Sequence, residues 1–243
     1  MRARAGNSIY VGTSGWAYAS WKPDFYPPKT AAKKMLAYYS TQLNSVEVNY
    51  TFRQLPTASM LAGWMSETPE SFRFSFKAPQ RITHQLRLDH CGEALAALRS
   101  ALEPMIARDR TGVVLFQLPP NFKIDLERLG AFLADASGAG MRMAFEFRHS
   151  SWFTEATYTL LAQQGEAALC IAESDDLVTP RRRTAPFTCY RLRKSSYSTA
   201  ELEDRRQWLS EDAREGDVFA YFMHEEAPDG ALRARDLLVR VSA

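Results

Sequence analysis

No stretch of this chain of 243 residues approaches the roughly 20 consecutive apolar residues that a membrane-spanning helix needs. The basic start "MRARAGNS" is not followed by the apolar run of a signal peptide. Cysteine is scarce. There are three, Cys91, Cys170 and Cys189, and none stands at metal-ligand spacing. An odd count without a secretory signal predicts a reducing, cytoplasmic setting. Cys170 and Cys189 lie in apolar runs and read as small buried hydrophobes. Charge of one sign is also lacking. The formal net charge of +2 is too small to mark a polyanion partner by itself. There is no P-loop and no G-x-S-x-G elbow, and no credible Ser-His-Asp set. No Pro/Gly-rich linker, low-complexity tract or internal repeat divides the chain. It reads as one domain over 1–243, with 1–7 expected as a flexible tail.

What is present is alternation. Short β-like runs ("SIYVGTS", "SVEV", "FRFSFKA", "GVVLFQL", "MRMAFEF", "AALCIAES", "FTCYRLR", "DVFAYFM") are separated by helix-like segments. Met35, Leu36, Tyr39 and Leu43 recur at helical spacing, as do Leu95, Leu98 and Leu102, and Pro104 is expected to kink or end that second helix. Asp125 and Thr154 read as helix caps, and Ser198 with Glu201 as a capping box. The segment "DDLVTPRRRTAP" reads as a loop where a helix would be due. Eight strands with about seven helices predict an α/β protein with a single (β/α)8 TIM barrel, a fold of about 250 residues. An open doubly wound sheet is the alternative that also alternates.

Polar residues gather where these strands end, the side on which such folds bind ligands. Glu47 ends the second strand and Glu146 the fifth. Two carboxylates across a barrel mouth could divide acid and base roles, or each could pair with Arg148, Arg53 or Lys77. Arg148 stands two residues after Glu146, so in a strand both would share a face. Its guanidinium could fork onto a phosphate or carboxylate, or onto Glu146 or Glu47. Lys77 and Arg191 would add to a positive mouth. Asn49 and Thr51 continue the stripe from Glu47. Thr13, Ser14 and Gly15 form a turn of the kind that can hold an anion. Trp16, Trp21, Tyr18, Tyr26, Tyr50 and Trp152 would stack on a ligand or pack the loops of the rim. No cofactor is expected. The residue types leave open a divalent metal held by His84, His149 or His224 with Glu47, Glu146, Glu173 or Asp175, or else histidines hydrogen-bonded at a rim. Arg181 to Lys194 holds six basic residues and no acidic one, a footprint of phosphate-backbone binding or a solvated loop.

The motifs "VGTSGWAYASWKPDFYP", "NSVEVNYTFRQLP", "FSFKAPQRITH", "FQLPPNF" and "EFRHSSWF" resemble the YecE-like family, a domain of unknown function. The likeness is close over 9–153 and looser beyond. It implies a TIM barrel of the broad kind that includes endonuclease IV and xylose isomerase, and supplies no activity. Two positions depart from that family's pattern. Its seventh strand commonly ends Arg-Leu-His-Gly, where this chain has Arg191, Leu192, Arg193 and Lys194. Its eighth commonly ends in paired asparagines, where Met223 and His224 stand. This pocket is therefore expected to be more basic than the family's.

The sequence thus predicts an enzyme, a hydrolase or isomerase, acting on a small anionic substrate such as a phosphosugar, nucleotide or nucleic-acid end. Glu47 or Glu146 would act as general base. Thr13, Asn49, Lys77, Gln117, Arg148, Arg191, Trp16 and Trp152 would line the site. The alternative is a non-catalytic module that binds DNA or RNA through the 181–194 loop. No membrane partner is expected.

Overall fold

A computed structural model describes residues 8–223 and 227–242. The expected tail and His224 lie outside the described residues. Eight parallel strands form one sheet in the order β1-β8-β7-β6-β5-β4-β3-β2. They are β1 (Ile9–Thr13), β2 (Ser45–Val48), β3 (Arg73–Lys77), β4 (Thr111–Gln117), β5 (Arg142–Glu146), β6 (Ala167–Glu173), β7 (Phe187–Leu192) and β8 (Asp217–Phe222). The helices are α1 (Met35–Gln42), α2 (Ala58–Ser66), α3 (Gly92–Ile106), α4 (Leu126–Ala136), α5 (Glu155–Ala162), α6 (Thr199–Asp212) and α7 (Asp229–Ser242). The chain is a TIM barrel, and the link from β6 to β7 is a loop, as its composition predicts. No described helix is long and apolar enough to cross a membrane.

The helix starts follow from local chemistry. Asp125 accepts from the Arg128 N–H at 3.0 Å and Thr154 from the Thr157 N–H at 3.3 Å. Ser198 and Glu201 make the reciprocal box. Pro104 does not end α3 at once; the helix runs two residues further, to Ile106. A proline removes one N–H, and near the last turn that loss is small.

The closing seam, between β1 and β2, is held largely by side chains. Asn44 accepts from the Val11 N–H and donates to the Ile9 carbonyl, both at 2.8 Å. The Tyr39 hydroxyl accepts from the Thr13 N–H at 2.8 Å and donates to the Ser45 carbonyl at 3.0 Å. Gly12 permits this approach, because a Cβ there would lie 2.0 Å from the Ser45 carbonyl oxygen.

Side chains alternate across each strand, so every second residue enters the barrel. At the lower end, Tyr10 stacks on Phe219 at 4.9 Å. Above them, Ser45 and Ser75 hydrogen-bond the buried Tyr221 hydroxyl at 2.7 and 2.6 Å. Leu115, Ala144, Cys170 and Cys189 belong to the same apolar interior. The next inward positions are Glu47, Gln117, Glu146 and Arg191. The polar mouth therefore stands on a closed, mostly apolar floor.

Candidate functional site at the barrel mouth

Arg191 is the centre of the mouth. Its side chain is fully buried, and it reaches both carboxylates. Nε and Nη2 fork onto Glu47 at 3.0 and 2.8 Å. Nη1 donates to Glu146. Glu47 also accepts from the Ser14 hydroxyl at 2.6 Å. Glu146 also accepts from Gln117 at 2.9 Å and from Arg193 at 2.8 Å. Burial pushes the Glu146 carboxyl up, but the Arg191 and Arg193 guanidiniums outweigh it and hold the group below its ordinary range. Burial likewise disfavours the Arg191 cation, and the two carboxylates more than restore it. The two carboxylates thus hold arginines in place, and Glu146 is a weak base at neutral pH.

The other cations of the mouth are differently placed. β5 ends at Glu146, so Arg148 lies beyond the strand, and the expected pairing with Glu146 or Glu47 is not made. Instead Arg148 lines a cavity of about 260 Å³ with Glu146, Arg193, Ser174 and the exposed Asp176. Lys77 ends β3 with its Nζ 4.3 Å from the centre of the Phe52 ring. Among the described residues it has no ion-pair partner. Burial lowers its proton affinity, Arg191 and Arg193 lower it further, and Glu47 and Glu146 oppose the shift. The buried Oδ1 of Asn49 has no hydrogen-bond partner.

A single π-helical turn, Arg81–Gln85, follows β3 and carries His84. Such turns recur at functional sites. The His84 ring meets Phe52 edge-on at 5.0 Å, so the imidazole and Lys77 flank the same ring. Burial, Lys77, Arg148 and Arg87 keep His84 below its usual proton affinity.

Several expected site residues make contacts within the framework. Trp152 is fully buried, stacked on Phe147 at 4.5 Å, and its N–H donates to the Phe122 carbonyl at 2.7 Å. It has no face to offer a ligand. Thr13 is buried and donates to the Gly15 carbonyl at 2.7 Å, so its hydroxyl shapes the turn after β1. Thr51 donates to the Lys77 carbonyl at 2.6 Å. Trp16 is half-buried, edge-on to Trp64 at 5.5 Å. His149 accepts from the Ser151 N–H at 3.2 Å as a cap. Glu173 is buried with Arg205 Nε at 2.5 Å. Among the described residues no three His, Cys, Asp or Glu side chains are grouped to hold a metal. The oxygens of Glu47 and Glu146 point at guanidiniums, an arrangement that does not suit a divalent cation.

The basic run also resolves differently. All six of its cations form ion pairs: Arg181 with Glu211 and Asp212, Arg182 with Glu155, Arg183 with Glu215, Arg191 and Arg193 with the mouth glutamates, and Lys194 with Glu201. Nor does the loop stay at the mouth. Thr184 bonds the first residues of β6, and Arg183 reaches Glu215 just before β8. The segment therefore descends the outside of the barrel.

Sequence reasoning undervalued Arg193, Ser14 and Phe52. The signal for Arg193 was available, because it stands two residues after Arg191 and so shares its face.

This barrel and mouth define the class of protein, and comparison gives the family. Residues 10–243 match the family described as protein of unknown function DUF72, and the chain belongs to that family. It is similar to the UPF0759 protein YunF of Bacillus subtilis, with 35% identity over 62% of this chain and 54% of that protein. It is also similar to the UPF0759 protein YecE of Escherichia coli, with 30% identity over 60% of this chain and 51% of that protein. Each match thus spans about half the length of that relative. A solved DUF72 family protein from Thermotoga maritima superposes with a TM-score of 0.86 at 24% identity, covering 98% of this chain and 100% of that one. A more distant likeness, to a xylose isomerase domain protein from Alicyclobacillus acidocaldarius, has a TM-score of 0.54 at 14% identity over 97% of each chain and shows a shared fold alone.

Proposed function

We propose that this protein is an enzyme whose barrel mouth binds a small anionic substrate, of the phosphosugar or nucleotide kind. One observation carries the reading. Arg191 and Arg193 balance Glu47 and Glu146 charge for charge, and Lys77 and Arg148 remain as cations with no ion-pair partner among the described residues. A half-buried cation without a partner costs stability, and a ligand oxyanion would supply what the fold does not. Arg148 offers a planar fork to that oxyanion and Lys77 a point charge.

The roles of Glu47 and Glu146 change in this reading. They hold Arg191 and Arg193 rigid at the floor of the site, a form of preorganisation. The group assigned to accept a proton is His84, whose neutral form burial and the neighbouring cations favour. Nucleic-acid binding through the 181–194 loop is the less favoured reading, because those cations already have carboxylate partners on the barrel's outer surface.

Thermal unfolding with phosphosugars, nucleotides, and short DNA and RNA tests the reading. Wild type should be stabilised by one or more small phosphorylated compounds, and Arg148→Ala should lose that gain. Stabilisation by oligonucleotides alone, retained in Arg148→Ala, would contradict it.

A further inference from the structure

The cavity that Arg148 lines is built at the ends of β5 and β6, with Arg193 just after β7 as a further wall. After β6 the chain turns back on itself. The Ser174 N–H donates to the Leu177 carbonyl at 2.9 Å, and the Thr179 N–H donates to the Ala172 carbonyl at 2.9 Å. Val178 thereby pairs antiparallel with Glu173. This return sets Thr179 in the cavity wall. Thr179 is only 2% exposed, and its Oγ1 has no hydrogen-bond partner among the described residues. Thr184, on the same connection and also buried, accepts from the Leu169 N–H at 2.8 Å and donates to the Ala167 carbonyl at 3.1 Å. A buried hydroxyl left unpaired costs the fold free energy, and a polar group in the cavity would supply the missing bond.

Most charges of the cavity wall are already matched. Glu146 is held by Arg191 and Arg193, and Glu173 lies against Arg205. Arg193 gives one guanidinium nitrogen to Glu146 and has further N–H groups to donate. Arg148 and the exposed Asp176 make no ion pair among the described residues. A ligand that carries both an oxyanion and hydroxyl groups would satisfy both, since a carboxylate only accepts and a guanidinium only donates. The space is small. Its volume of about 260 Å³ lies below the roughly 300 Å³ at which pockets for drug-sized ligands begin. Phe147, the aromatic residue in its wall, is fully buried, with its ring stacked on Trp152 at 4.5 Å and on Phe145 at 6.2 Å. A nucleobase would find no ring face there to stack on.

We propose that this cavity is a specificity pocket for a short-chain phosphorylated sugar or polyol, with Arg148 and Arg193 on the phosphate and Thr179 and Asp176 on the hydroxyls. This deepens the reading of the mouth as an anion site and rests on it. It also separates the two kinds of substrate, because the base of a nucleotide gains nothing from this wall.

Calorimetric titration of the full chain tests the pocket. The probes are inorganic phosphate, glycerol 3-phosphate, ribose 5-phosphate and adenosine 5′-monophosphate, each on wild type, Thr179→Val and Arg148→Ala. Wild type should bind glycerol 3-phosphate or ribose 5-phosphate about tenfold more tightly than inorganic phosphate, the gain that hydrogen bonds to hydroxyls can give. The adenosine compound should bind no more tightly than ribose 5-phosphate. Thr179→Val should weaken the favoured ester by about fivefold and leave inorganic phosphate unchanged, while Arg148→Ala weakens both. Thr179→Val should also melt at or above the wild-type temperature, because it removes an unpaired buried hydroxyl. A lower melting temperature would make that hydroxyl a framework group and overturn its assignment. If inorganic phosphate binds through Arg148 but neither ester binds more tightly, or Thr179→Val leaves their ratio intact, the sugar pocket is overturned and the anion site stands. Tighter binding of the adenosine compound than of ribose 5-phosphate would overturn it as well. Binding of none of the four probes would overturn the anion site itself.

Discussion

A buried arginine between two buried carboxylates is a costly arrangement that holds only while complete. Removing one member of such a set leaves an uncompensated charge, at a cost of about 3–5 kcal/mol. Arg191→Met should therefore lower unfolding stability by about that amount, read from urea denaturation at neutral pH. Acid acts on the same set. Glu146 has a folded-state proton affinity below its ordinary pKa of 4.5, so its contribution to stability is complete above that pH. The contribution is lost as pH falls through the lower folded value. A stability profile that drops in that window for wild type, and less steeply for Glu146→Gln, is the expected result. At this scale the sequence was partly legible. Glu47, Glu146 and Arg191 are marked as inward-facing by strand alternation. Their mutual contact is not, because Arg191 meets partners 144 and 45 residues away in sequence, and only the closed barrel brings them together.

Elements were easier to read than contacts, because their signals are local. Caps at Asp125, Thr154 and Ser198 announce helices within a few residues. The missing helix between β6 and β7 shows in the composition of that segment. What composition cannot show is where its arginines go, and acidic groups on α5 and α6 and before β8 claim Arg181, Arg182 and Arg183. Trp152 misled for a related reason. It follows the Glu146 and Arg148 motif in sequence, but its 3-10 turn directs it onto Phe122 and Phe147. The β1–β2 seam makes its own prediction. Gly12→Ala would drive a Cβ into the Ser45 carbonyl and should lower the melting temperature sharply. Gly63→Ala in α2 meets nothing within 4 Å and should raise stability by about 0.5–1 kcal/mol. Thermal unfolding of the two variants side by side reads the difference.

The whole molecule sets a charged mouth on an apolar floor along the barrel axis. Apolar layers close the lower barrel, while the mouth concentrates charge that the fold leaves partly unmatched. A parallel barrel gathers strand ends from distant parts of the chain on one face, which is why scattered polar residues become one site. Strict alternation of elements made this architecture legible from sequence, and membership of the DUF72 family agrees with it. The balance of charge at the mouth became visible only in three dimensions. The direct test of that balance is calorimetric titration of the full chain with inorganic pyrophosphate, comparing wild type, Arg148→Ala and Lys77→Met. The account predicts one site in wild type, weakened by salt and by each substitution. Binding that is absent in wild type, or equally strong in all three proteins, would contradict it.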